Sequence, residues 1–137
     1  MAVRILLADD HPVVRHGLKA LLGEHSGCEV IAEAEDGLEA VNKADRLRPD
    51  VAVLDVSMPG MNGLDACRMI RESVPECEIL IVTQHDSPQM MREALSSGAR
   101  GYIVKSNVSR DLVEAIEAAS QHRDFAAMNR REDPTAG

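Results

Sequence analysis

Aromatic side chains are almost missing from this sequence, which has no tryptophan, one tyrosine and one phenylalanine. With 45% hydrophobic residues, its core must be built from Val, Ile, Leu, Ala and Met, a composition suited to helices packed on a parallel sheet. Cysteine is sparse: Cys28, Cys67 and Cys77 are odd in number and include no Cys-x-x-Cys pair, which argues against a disulfide framework. Each reads as a small, partly buried apolar side chain rather than a redox centre. The start Met-Ala-Val-Arg carries no signal-peptide core and no apolar run reaches transmembrane length, so the expected setting is the reducing cytoplasm, away from membranes. Basic residues are also few. Fifteen against twenty-three acidic ones leave a formal charge of −8, which disfavours direct binding to DNA or an anionic membrane and leaves a partner-mediated role open.

Within 137 residues, enough for one domain with a full core, no repeat appears. Short apolar runs bounded by turn residues fall at 3–8, 29–34, 51–54, 78–82 and 101–104, each of strand length. Helical periodicity fills the gaps. Pro12 suits a first helical turn, with Val13, Leu18, Leu21 and Leu22 on one face, and segments 37–47 and 64–74 repeat the pattern. Pro88 opens a helix that runs to Ser97 and stops at Gly98; Ser109 or Asp111 is expected to cap one that ends near Ala119. The expected fold is therefore α/β, (βα)₅, a doubly wound parallel sheet of five strands in order 2-1-3-4-5 with right-handed crossovers. It should occupy residues 1–121, and the polar segment 122–137 reads as a tail or linker stub.

The strand ends carry the chemistry. The first run ends in Asp9-Asp10, the third in Asp55 and the fifth in Lys105, and in this strand order those ends share one crevice at the switch between strands 1 and 3. Carboxylates crowded together repel one another unless a hard cation sits among them, and Mg²⁺ (or Mn²⁺) favours a few carboxylates with water and phosphate. Singly, each residue has a plainer use: Asp9 and Asp10 as caps near Pro12, Asp55 as a cap before Pro59, Lys105 as a solvated lysine and Thr83 as a strand residue. The five falling together at the carboxyl ends of four strands is what points to phosphoryl transfer.

These marks, Asp9-Asp10, Asp55-x-x-Met58-Pro59-x-Met61-Asn62-Gly63, Thr83 and Gly101-Tyr102 followed by Lys105, resemble the receiver domains of two-component response regulators, which have a flavodoxin-like fold. The opening Ala8-Asp9-Asp10-His11-Pro12-x-x-Arg15-x-Gly17-Leu18 looks like the NarL/FixJ (LuxR-type) class. The resemblance implies that Asp55 accepts a phosphoryl group from a phosphohistidine on a sensor histidine kinase. It implies direct Mg²⁺ ligation by Asp10 and Asp55, Asp9 acting through water, and the Ser57 backbone carbonyl as a further ligand. Lys105 would pair with the phosphoryl group, Thr83 would hydrogen-bond it after moving inward, and Tyr102 would follow Thr83. The resulting change in partner binding, homodimerisation on phosphorylation included, makes the chain a phosphoacceptor switch rather than an enzyme, with only intrinsic autophosphorylation and autodephosphorylation. Transcriptional control would pass through a DNA-binding domain that this sequence does not contain.

Some positions depart from the common pattern. Gln84 follows Thr83 where many receivers have a small residue and is expected to narrow access to Asp55, while Ser57 and His85 stand at positions that tune acyl-phosphate lifetime in the family. Ser106 replaces a frequent proline after Lys105. His11, His16, His25, His85 and His122 read as exposed or capping histidines. Two other functions compete: a receiver-like interaction module independent of phosphorylation, and a phosphatase of the haloacid dehalogenase type. The second requires an acid two residues after the nucleophile, where this chain has Ser57. A dinucleotide site is disfavoured because no Gly-x-Gly-x-x-Gly follows the first strand.

Overall fold

The computed structural model describes residues 2–123. Its five strands are β1 (Val3–Ala8), β2 (Cys28–Ala34), β3 (Val51–Asp55), β4 (Glu78–Thr83) and β5 (Gly101–Val104), all parallel in the order β2-β1-β3-β4-β5. Every residue of β3, β4 and β5 is buried, as expected of strands covered on both faces, whereas the edge strand β2 is mostly half-buried.

The helices are α1 (Pro12–Gly23), α2 (Gly37–Leu47), α3 (Gly63–Ser73), α4 (Pro88–Ser96) and α5 (Val108–Ser120). Helix α1 packs with α5, α2 packs with α3, and α4 lies against β5. Local capping starts three of them: Asp36, Asn62 and Ser87 accept the N–H groups of Glu39, Asp65 and Met90, which satisfies donors that a helix start leaves open.

Two details of the sequence reading are corrected. Val13 is 85% exposed; the buried stripe of α1 runs through Leu18 and Leu22, with Val14 and Leu21 packed beside it. The spacing 14, 18, 21, 22 follows a helical period, and residue 13 lies off that stripe. Helix α5 is capped by neither Ser109 nor Asp111. A 3-10 turn over Lys105–Asn107 leads directly into it, and Asp111 is a buried helical residue paired with Arg110 at 3.1 Å.

The loop after β3 is tied to the sheet. Val56 N–H donates to the Val82 carbonyl and Gly63 N–H to the Val56 carbonyl, and Gly60 takes φ +71, a conformation glycine adopts without steric cost. A Cβ on Gly63 would lie 2.2 Å from the Asp55 carbonyl oxygen, so this close approach needs a residue without a side chain.

Candidate acidic site at the carboxyl edge of the sheet

Parallel register assembles the site. Ala8 pairs with Leu54, Asp55 with Val82 and Thr83 with Val104, so Asp9, Asp55, Thr83 and Lys105 emerge at nearly one level on adjacent strands. The ligand atoms of Asp9, Asp10, His11 and Asp55 all lie within 4.8 Å of one another. Asp9 and Asp55 are buried, while the Asp10 side chain is about one-third exposed, at 32%.

Lys105 Nζ stands 3.0 Å from Asp9 Oδ2 and 3.2 Å from Asp55 Oδ2. One ammonium therefore bridges two of the three carboxylates. Burial, followed by the Asp9 charge, pushes the Asp55 carboxyl above its ordinary pKa, against the opposing pull of Lys105. Burial lowers the pKa of Lys105, but its close contact with Asp9 and the Asp55 and Asp9 charges outweigh this and hold it above its ordinary value. Asp9 Oδ2 and Asp10 Oδ1 are buried and receive no hydrogen bond of proper geometry, although Lys105 and His11 come close to them. Buried carboxylate oxygens left this way, with a net negative charge around them, fit a small divalent cation.

Arg15 braces the acidic turn from α1: its Nη1 donates to the Asp9 carbonyl at 2.6 Å and its Nε to Glu33 Oε1 at 2.9 Å. The Asp9 side chain accepts the His11 N–H at 2.8 Å, which fixes the turn before Pro12.

The other expected residues fall around this centre with less contact. Ser57 is exposed, and its N–H points at Asp55 Oδ1 over a long 3.4 Å. Thr83 is buried and its hydroxyl accepts the His85 N–H at 3.1 Å instead of reaching Asp55. Tyr102 is fully buried: its hydroxyl donates to the His85 carbonyl and accepts the Ser87 N–H at 3.2 Å, which links β5 to the start of α4. Gln84 and the His85 side chain are exposed just beyond Thr83.

Two histidines, exposed as expected, also meet carboxylates. His11 heads α1 but its ring makes no capping bond; Nδ1 lies 2.9 Å from Asp9 Oδ1, 3.1 Å from Asp10 Oδ1 and 4.0 Å from Asp55 Oδ2. His122, exposed as expected, also places Nδ1 2.6 Å from Glu78 Oε2 at the other end of β4. Glu78 is buried there with Arg71 and Arg100 at 3.4 and 3.1 Å, a cluster signalled in sequence only by an acid heading an otherwise apolar strand.

Comparison with known proteins shows the family and the fold. The family model of the response regulator receiver domain matches residues 5–117. Oxygen regulatory protein NreC of Staphylococcus epidermidis is 42% identical over 127 residues, which are 92% of this chain and 58% of that protein. The DNA-binding transcriptional activator DevR/DosR of Mycobacterium tuberculosis is 41% identical over 123 residues, 90% of this chain and 57% of that one. The chain thus spans less than two-thirds of these relatives. Among solved structures, a LuxR-family two-component response regulator from Aurantimonas sp. superposes with a TM-score of 0.92 at 36% identity, covering 99% of this chain and 97% of that one. The receiver domain of the response regulator NarL from Mycobacterium tuberculosis gives 0.85 at 33% identity, covering 89% and 98%.

Proposed function

The chain belongs to the response regulator receiver domain family, of the NarL/LuxR type, and on that premise we propose that Asp55 is its phosphoacceptor and residues 1–121 its switching unit. The carrying observation is the Lys105 ammonium held between Asp55 and Asp9 at the sheet edge. An Asp55 oxygen attacks the phosphorus of a phosphohistidine on a sensor kinase, the P–N bond breaks, and its electron pair stays with the departing imidazole. Lys105 turns from Asp55 to the incoming phosphoryl oxygens, a charge-assisted contact that Asp9 alone does not satisfy. Asp10 and Asp55 would hold Mg²⁺ (or Mn²⁺), helped by Asp9 and the Ser57 carbonyl. When bound, the ion would supply charge neutralisation for the phosphoryl group in transfer.

The kinase has a surface to approach. Val13 projects from α1 at 85% exposure, and an apolar recess of about 320 Å³ between α1 and α5, bordered by Leu18, Leu21 and Val108, reaches Lys105. After transfer, Thr83 gives up the His85 N–H to contact the phosphoryl group, and Ser57 and His85 tune how long it persists. The altered α4–β5–α5 face then binds a second copy or another partner, with transcription controlled through a separate DNA-binding domain. Among the described residues, no helix is long and apolar enough to cross a membrane. Residues 124–137, most of the expected tail, lie outside the described residues.

The acceptor chemistry is tested with acetyl phosphate and Mg²⁺. The incorporated phosphate should be released by neutral hydroxylamine, which cleaves acyl phosphates; label that resists hydroxylamine contradicts a carboxylate acceptor. The buried Tyr102 favours a second reading, an interaction face already formed without phosphate. In that case Asp55→Asn would bind partners as the wild type does, and phosphorylation would leave the amide signals of α4 and β5 unchanged.

A further inference from the structure

His11 is the one residue of the cluster to which the reading above gives no role. Within the group Asp9, Asp10, His11 and Asp55 it offers a nitrogen among carboxylate oxygens, and its backbone is held on both sides. Its backbone N–H is bound by Asp9 Oδ1 at 2.8 Å, and Pro12 begins α1 immediately after it. The ring is not used to cap the helix.

The distances have a specific meaning. In an octahedral shell with metal bonds of about 2.1 Å, neighbouring donor atoms are roughly 3.0 Å apart and opposite ones roughly 4.2 Å. His11 Nδ1 lies 2.9 and 3.1 Å from oxygens of Asp9 and Asp10, and 4.0 Å from one of Asp55. The first distance also suits a hydrogen bond to Asp9. The second does not have that explanation: Asp10 Oδ1 is buried without a hydrogen bond although Nδ1 is beside it. An imidazole nitrogen and a buried carboxylate oxygen, side by side and not bonded to each other, are placed as two donors toward one cation.

We propose that His11 Nδ1 is a metal ligand of this site, alongside Asp10 and Asp55, and that it turns the site's preference away from Mg²⁺ toward first-row transition-metal dications. This rests on the acidic site being a cation site, as proposed above. Mg²⁺ is content with carboxylates and water and gains little from an imidazole, whereas Co²⁺ and Zn²⁺ bind imidazole well and carboxylate-only sites less selectively. The chemical class of cofactor is therefore a divalent transition ion, with Mn²⁺ between the two groups.

The test uses the full chain with single metal ions. Pulsed electron paramagnetic resonance of the Mn²⁺-loaded protein should show the ¹⁴N modulation of a directly bound imidazole, and His11→Gln should lose it. In titrations, His11→Gln should weaken Co²⁺ binding roughly tenfold or more while changing Mg²⁺ binding by less than about threefold. A Mn²⁺ signal without nitrogen coupling, or equal weakening of both ions, overturns the proposal. Asp10→Asn separates the two levels. If it abolishes Mn²⁺ binding but the wild type shows no nitrogen coupling, the acidic site stands and His11 is not its ligand. If Asp10→Asn binds Mn²⁺ like the wild type, the acidic site itself is misplaced and the proposal falls with it. Unchanged circular dichroism of each variant excludes loss of fold as the cause.

Discussion

Lys105 Nζ lies 3.2 Å from Asp55 Oδ2, joining the end of β5 to the end of β3 across β4. In the proposed reaction the contact has opposite consequences for a cation and for an incoming phosphoryl group. A cation competes with the ammonium for the same carboxylate, whereas a phosphoryl group attracts it. Lys105→Ala should therefore bind Mg²⁺ at least as tightly as the wild type, yet be phosphorylated about 10²–10³-fold more slowly, the usual effect of removing one positioned charge from a transfer site. Asp10→Ala should lose both activities. Calorimetric titration and the rate of labelling by acetyl phosphate measure the two effects; tighter binding with an unchanged rate would remove Lys105 from the reaction.

The raised pKa of Asp55 makes its ionised form a burden on the metal-free fold. The folded pKa lies above the ordinary 3.8, so the protonated carboxyl is the form the fold favours, and stability falls as the pH rises through that raised value. Asp55→Asn removes the effect. Without metal, the two proteins should have similar thermal midpoints below the ordinary carboxylate range, and the variant should become the more stable one as the pH approaches neutrality. A gap that shrinks with rising pH would mean that Lys105 outweighs burial and the Asp9 charge.

Gly63 is predicted to be needed for shape. A Cβ there would meet the Asp55 carbonyl oxygen at 2.2 Å, and backbone cannot move aside as a flexible side chain can. Gly63→Ala should cost about 1–3 kcal/mol of stability in denaturant titration, the range for overpacked sites, and should displace the acceptor loop. Gly17→Ala, with nothing within 4 Å of the added Cβ, is the matched control and should be neutral or stabilising.

Gln84 is exposed directly after Thr83, where a long polar side chain can stand between solvent and Asp55. Gln84→Ala should speed both labelling by acetyl phosphate and loss of the phosphoryl group, by roughly two- to tenfold if the barrier removed is about 1 kcal/mol. Stopped labelling reactions followed over time measure both rates, and no change in either would take Gln84 out of the gating role.

The sheet and its acidic edge were legible in the sequence because they are written locally. Apolar runs of strand length end in turn residues, and the strand order of an alternating βα chain leaves few alternatives, so Asp9, Asp10, Asp55, Thr83 and Lys105 could be brought together from their positions alone. What escaped depends on side-chain direction. Val13 falls off the buried stripe of α1 by the angle of one residue, which a count of apolar positions does not register. The start of α5 follows from the 3-10 turn at Lys105, not from a capping side chain. His11 joins the carboxylates because Asp9 grips its backbone, and Glu78 finds Arg71, Arg100 and His122 across three elements; neither meeting has a local signature.

The most direct measurement is the intact mass of the protein after incubation with acetyl phosphate and Mg²⁺. The wild type should gain one phosphoryl group, Asp55→Asn none, and the wild type none when the divalent cation is chelated. Equal labelling of Asp55→Asn and wild type would contradict Asp55 as the acceptor.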